Sequence, residues 1–177
     1  MKKQSAGLLL YRTQSNQVEV LLAHPGGPFW AKKDLGAWSI PKGEFADDEE
    51  PLAAARREFE EELGTKAPEG ETLELGSAKQ SSGKVVYAWA IEAPLDPKHV
   101  KSNTFEMEWP PKSGKTQEFP EIDKVQWYSL AAAKQKIVKG QVPLLEKLAG
   151  ILGVDLSEQT IAARQPEPDT KAQISLF

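Results

Sequence analysis

Two β-rich apolar runs, residues 5–12 and 17–24, flank the polar turn Thr13-Gln14-Ser15-Asn16, and this order predicts a hairpin. Residues 74–80 and 84–92 alternate apolar and polar positions about Ser81-Ser82-Gly83 and predict two more strands. Short strands are expected at 38–40 and 105–109, and a last one at 122–127. Helical signals fall elsewhere. Pro51 suits a first turn, acidic residues precede it and Gly64 can close the far end, so residues 50–63 predict a helix. Ser129 can cap a second helix over 130–138, and 141–152 predicts a third that stops at Gly153. Gly- and Pro-containing stretches at 25–41, 94–103 and 110–120 read as irregular connections. Strands and helices mix without a regular βαβ repeat, so the expected class is α+β or α/β around a mixed sheet. Residues 1–154 form the expected domain, and 155–177 read as a flexible polar tail.

A chain of 177 residues suits one domain of about 150 with some surplus. The lack of cysteine excludes a disulfide scaffold, a thiolate metal site and a cysteine nucleophile. Two histidines, His24 and His99, are too few for a histidine-built zinc centre. No apolar run nears the ~18 residues that span a membrane. The opening apolar run stops at Arg12 without a small-residue cleavage site, so a soluble, cytoplasmic protein is expected. Charge alters this ordinary picture. Between Gly43 and Gly64 nine carboxylates stand against only Arg56 and Arg57, although the whole chain carries just −4. An acidic block in an otherwise mildly basic protein suits a cation site that faces an anionic substrate.

Wound at about 100° per residue, Glu58, Glu61 and Glu62 share one arc of the predicted helix, at spacings i, i+3 and i+4. Leu52, Phe59 and Leu63 make a separate apolar stripe, Ala54 leaves room one turn before Glu58, and Glu60 points away. Three like charges on one face repel, and a hard divalent cation with oxygen ligands is the usual compensation. A solvated acidic face softened by Arg56 and Arg57 is the plainer alternative.

The spacing before the helix bears on that choice. Gly43 is followed after five residues by Glu49, and after seven more by Arg57-Glu58-Phe59-Glu60-Glu61-Glu62-Leu63-Gly64. This resembles the Nudix box of Nudix hydrolases, G-x5-E-x7-R-E-U-x-E-E-x-G-U with U bulky and apolar, except that Thr65 stands at the final U. The flanks WSIPK (38–42) and FPEIDKVQWYSL (119–130) are also similar to the family, and the likeness runs over about residues 3–153. The resemblance implies a Nudix-type α/β/α sandwich with a mixed sheet. It further implies hydrolysis of a nucleoside diphosphate linkage by water attack on phosphorus, assisted by Mg²⁺ or Mn²⁺. Carried onto this chain, Glu58, Glu61 and Glu62 become metal ligands with the carbonyl of Gly43, and one carboxylate acts as base, Glu58 being favoured. Glu49 and Arg57 look like the pair that ties the loop to the helix and orients Glu58. Some members use a further glutamate before the last strand; Glu118 and Glu121 are the candidates, Glu118 preferred.

For the phosphates, Lys42, Lys79 and Lys84 are candidate partners. For the base, Phe29, Trp30, Tyr87 and Trp109 offer stacking faces, although Tyr87 and Trp89 fit a core equally well. The proline or tyrosine that marks ADP-ribose or dinucleoside polyphosphate subfamilies after the box is replaced by Ser81-Ser82-Gly83. SGKVVYAW is similar to a strand of dinucleoside tetraphosphate hydrolases, and a nucleoside polyphosphate, mononucleotide (NTP or dNTP) or dinucleoside, is the expected substrate. A catalytically silent, nucleotide-sensing Nudix module is the rival reading. Neither a membrane nor nucleic acid is an expected partner. The terminal Gln173-Ile174-Ser175-Leu176-Phe177 resembles the Q-x-S/D-L-F motif by which bacterial proteins dock on the sliding clamp, the alternative being that it folds back on its own domain.

Overall fold

The computed structural model describes residues 3–156. Its centre is β1 (Gln4–Gln14), buried from Ser5 to Tyr11, as a strand is when both of its faces are covered. β2 (Gln17–Pro25) turns back antiparallel to it through Ser15 and Asn16, both in the left-handed region that a tight hairpin demands. The two strands stay paired only as far as Tyr11 and Val20. Beyond that point they part, and residues 38–44 enter the fork. Ser39 bridges to Ala23, the Pro41 carbonyl accepts from the Leu8 N–H at 3.2 Å, and β3 (Lys42–Glu44) pairs with residues 5–7. β4 (Thr72–Lys79) and β5 (Val85–Glu92) form an antiparallel pair, and β5 runs parallel to β1. β6 (Thr104–Glu108) and β7 (Thr116–Pro120) make a separate two-stranded sheet, and β8 (Ile122–Ser129) pairs antiparallel with β2. The main sheet is mixed, in the order β4-β5-β1-β2-β8 with β3 on β1.

Period-two alternation decides which side each residue serves. Ala6, Leu8, Leu10, Leu21 and Ala23 meet α1 (Pro51–Leu63) through Ala54, Ala55, Phe59 and Leu63. Leu9, Val20, Leu22, Val86 and Ala88 meet α2 (Leu130–Lys136) and α3 (Val142–Leu152) through Leu130, Ala133, Leu144, Leu145 and Leu148. The result is the expected α/β/α sandwich. Each fully buried Leu or Phe contributes roughly 1.5–3 kcal/mol of transfer free energy. Buried Gln141 joins three distant segments: its side-chain oxygen accepts from the Ile40 N–H at 3.0 Å, and its amide donates to Ser39 Oγ at 2.9 Å and Gln80 Oε1 at 3.0 Å.

Three elements differ from the sequence reading. The short strand expected at 38–40 is present only as isolated bridges at Trp38 and Ser39, and the strand that forms there is β3, at 42–44. Residues 110–120, expected to be irregular, contain β7, which is exposed at every residue but half-buried Phe119 and so shows no alternation. The second helix stops at Lys136 instead of 138, since Ile137 leaves it to bridge Trp38. Ser129 caps that helix, its Oγ accepting from the Ala132 N–H at 3.2 Å. Ser129→Ala is expected to lose about 1 kcal/mol, a fall of a few degrees in Tm, with unchanged kinetics; a thermal melt and an assay check both. Among the described residues no helix is long and apolar enough to cross a membrane. The clamp-like pentapeptide 173–177 and most of the expected tail lie outside the described residues.

Candidate active site

α1 begins where Glu50 folds back to accept from the N–H groups of Leu52 and Ala53, at 3.2 and 2.8 Å, and ends at left-handed Gly64. Its buried stripe fixes the rotation of the helix on the sheet and turns Glu58 and Glu62 onto β3. Gly43 lies so close to Glu58 that a Cβ there would stand 1.9 Å from Glu58 Oε2. The Lys42 N–H donates to Glu62 Oε2 at 3.1 Å. Arg57 gathers the rest. Its Nε and Nη2 donate to the two oxygens of Glu49 at 2.8 and 2.9 Å, and Nη1 donates to Glu58 Oε1 at 2.8 Å and to Glu61 at 3.2 Å. The bidentate pair ties the loop before α1 to the helix, while the third nitrogen holds two carboxylates of the arc together. Glu60 is turned off the arc and accepts from the Ala67 N–H at 3.1 Å.

A cavity of about 150 Å³ opens beside the cluster, at the mouth of the β1–β2 fork. Ala23, Pro25, Ser39, Ile40, Lys42, Glu62, Glu121 and Ile122 line it. Glu121 is held by both of its backbone groups: its N–H donates to the Asn103 carbonyl at 2.8 Å, and its carbonyl accepts from the Gly26 N–H at 2.9 Å. Its charge is felt by both Glu58 and Glu62. Burial pushes the Glu62 carboxyl up to about 8, against the opposing pull of the Lys42 N–H and ammonium. Burial also raises Glu58, with the Arg57 guanidinium working the other way. The Lys42 ammonium is moved down by burial and by Lys84, although Glu62, Glu44 and Glu58 favour its charge.

The donor set is all oxygen, as a hard divalent cation requires. Glu62 is the observation that fits such an ion: a carboxylate so raised, beside Glu58 and Glu121, keeps its charge at neutral pH when a cation lies against it. Among the described residues no three His, Cys, Asp or Glu side chains are closed around a common point as they stand. Arg57 supplies the positive charge between Glu58 and Glu61.

Of the residues singled out in the sequence, the structure brings together Gly43, Glu49, Arg57, Glu58, Glu61 and Glu62, with Lys42 beside them. Lys84 stands at the margin, its Nζ 3.0 Å from Glu44 Oε1. Half-buried Tyr87 meets Phe45 edge-on, ring centres 6.2 Å apart. Lys79 is exposed at the end of β4, and Trp30 lies in the loop beyond β2. Glu118 is exposed on β7 and accepts from the Thr104 hydroxyl, outside the cavity lining; Glu121, its alternative, is in that lining. The fork itself had no signal in the sequence beyond the short expected strand at 38–40.

A family profile described as the NUDIX domain matches residues 1–148. The chain belongs to the Nudix family of hydrolases. Among solved structures it is similar to an Ap4A hydrolase binary complex from C. elegans, at 24% identity and TM-score 0.55, over 85% of this chain and 98% of that one. The NUDIX domain of NrtR from Shewanella oneidensis, solved with ADP ribose, matches at 18% identity and TM-score 0.56, over 86% and 89%. RenU, a Nudix hydrolase from M. smegmatis, matches at 20% identity and TM-score 0.54, over 86% of each chain. At these identities the likeness speaks for the fold. No curated protein sequence gives a significant match.

Proposed function

We propose that this chain hydrolyses a diphosphate linkage in a nucleoside polyphosphate, an NTP or dNTP or a dinucleoside polyphosphate, with Mg²⁺ or Mn²⁺. The observation that carries the reading is the acidic face of α1: Glu62 lines the cavity with Glu121, Glu58 lies against Gly43, and Arg57 joins Glu58 to Glu61. Glu58, Glu61 and Glu62 with the Gly43 carbonyl would hold the cation, and Glu121 replaces Glu118 as the further carboxylate. When bound, the ion neutralises phosphate charge and makes an attacking water easier to deprotonate. Glu58, only 13% exposed at its side chain and held by Arg57, would act as the base toward that water in place of a ligand role. Lys42 and Lys84 supply positive charge on the β3 side for the phosphates.

The test is product release from a panel of NTPs, dNTPs and dinucleoside polyphosphates with Mg²⁺ or Mn²⁺, with and without chelator. Turnover that the chelator abolishes supports the proposal; binding without turnover belongs to the sensing module. The metal has a second readout. A cation bound only by the folded arc stabilises as RT ln(1 + [M]/Kd), about 1.4 kcal/mol at tenfold excess over Kd. A melting temperature that rises with Mg²⁺ or Mn²⁺ is therefore expected, and a flat one counts against the ligand set.

A further inference from the structure

We propose that His24 is a positioning residue for Glu121: it holds Asp123, the extra residue of a bulge in β8, and so sets where Glu121 stands in the cavity wall. This rests on the role proposed for Glu121 above. From Glu19–Ser129 to His24–Lys124 the pairing of β2 with β8 runs in step. It then slips by one residue, so that Pro25 faces Ile122 and Asp123 is left over. Pro25 has no N–H to give the ladder, which suits it to such a break. The alternation of β8 fails at the same point: Ile122 and Val125 are buried, and Asp123 and Lys124 between them are both exposed. A bulge beside a reactive site serves to re-aim a side chain.

What this bulge aims is Asp123 at His24. The ring is buried, with Nδ1 2.8 Å from Asp123 Oδ1 and Nε2 2.6 Å from the Lys33 carbonyl oxygen. Trp38 stands edge-on against it, ring centres 5.0 Å apart. Both polar partners are acceptors, so the ring serves the two at once only as the doubly protonated cation. No single uncharged side chain reproduces both bonds. Asp123 is 32% exposed at its side chain, and the fixed ring is what keeps that carboxylate from turning out into water.

The register beyond the bulge decides the place of Glu121. With Pro25 opposite Ile122, the Gly26 N–H meets the Glu121 carbonyl at 2.9 Å. Gly26 lies so close to the strand that a Cβ there would stand 1.9 Å from the Pro120 carbonyl oxygen. Pro25, Glu121 and Ile122 all line the cavity. Drawn into the ladder, Asp123 would take the place of Ile122 opposite Pro25. Glu121 would then be displaced by one residue, about 3.4 Å along the strand, with its side chain sent to the opposite face. The bond from His24 to Asp123 opposes that slip, two residues from the carboxylate it protects.

Two amide substitutions separate the bonds of the ring. An asparagine amide nitrogen reaches the place of Nδ1 and keeps the bond to Asp123, whereas a glutamine reaches the place of Nε2 and keeps only the bond to Lys33. Hydrogen exchange of the Gly26 N–H, followed by NMR on the metal-free full chain, reads the register directly. His24→Gln is expected to speed that exchange about tenfold, the scale of one lost hydrogen bond, and His24→Asn to stay near wild type. Mn²⁺ alone, titrated by calorimetry, should bind about tenfold more weakly to His24→Gln and as in wild type to His24→Asn. Asp123→Ala, at a partly exposed position, should match His24→Gln in both readouts, and the double variant should lose no more than either single one. Equal effects of the two amides, or none from Asp123→Ala, overturn the proposal by leaving His24 as core packing only. Glu121→Gln keeps the two readings apart: unchanged Mn²⁺ affinity in that variant would refute the role given to Glu121, whereas the metal-free exchange rates judge His24 alone.

Discussion

Glu62→Gln is expected to lower kcat by at least about 10²-fold while the protein stays folded. Glu62 is the carboxylate pushed up to about 8 by burial, and it shares the cavity wall with Glu121. Glutamine keeps the oxygen that accepts from the Lys42 N–H, so β3 remains fixed to α1. An amide also has no proton to take up on burial. A carboxyl raised to about 8 must be protonated when the metal-free chain folds at neutral pH, so the metal-free Tm is expected to hold or rise. Glu60→Gln is the internal control. Glu60 lies two residues away but serves the Ala67 N–H, a bond that an amide oxygen also makes. Steady-state kinetics on the two variants should therefore differ sharply, and equal losses would refute the assignment of this arc to the cation.

Gly43→Ala should cost on the order of 10–10² in kcat, because displacement of a reacting group by about an ångström is enough for such a loss. The added methyl would fall 1.9 Å from Glu58 Oε2 and 2.0 Å from its Cδ, so the carboxylate must swing away from where Arg57 holds it. The side chain that yields is flexible at that end, and Arg57 retains both bonds to Glu49. A small change in Tm beside a large change in kcat is the expected signature. Comparable activity in Gly43→Ala and wild type would show that the position of Glu58 is immaterial to the reaction.

What could be read in the sequence follows from how local each cause is. The helix 51–63 was legible because its stripe, its capping residues and its acid spacing all lie within a few turns of one another. The β1–β2 hairpin was legible for the same reason. β7 was not: Thr116-Gln117-Glu118-Phe119-Pro120 carries one large apolar residue, and its partner strand, not its own pattern, makes it extended. The choice between Glu118 and Glu121 turned on that strand. Glu118 faces Glu106 within the hairpin, whereas Glu121 follows it and is caught between Asn103 and Gly26. Nothing within three residues of sequence separates the two. Gly43 was visible only through the motif, since the reason for a glycine there is a side chain fifteen residues further on.

The amide of Gln141 gives the site a history as well as a shape. It grips Ser39 and Ile40 across 102 and 101 residues of sequence, and those two lead through Pro41 into Lys42 and Gly43. During synthesis α1 and its carboxylates emerge long before that grip exists, because a contact of such long range must wait for the intervening chain. Competence is consequently a late event in the birth of the molecule. A lesion in its last third that removes this amide would disable a centre from which it is remote in sequence, while every residue of that centre stayed intact.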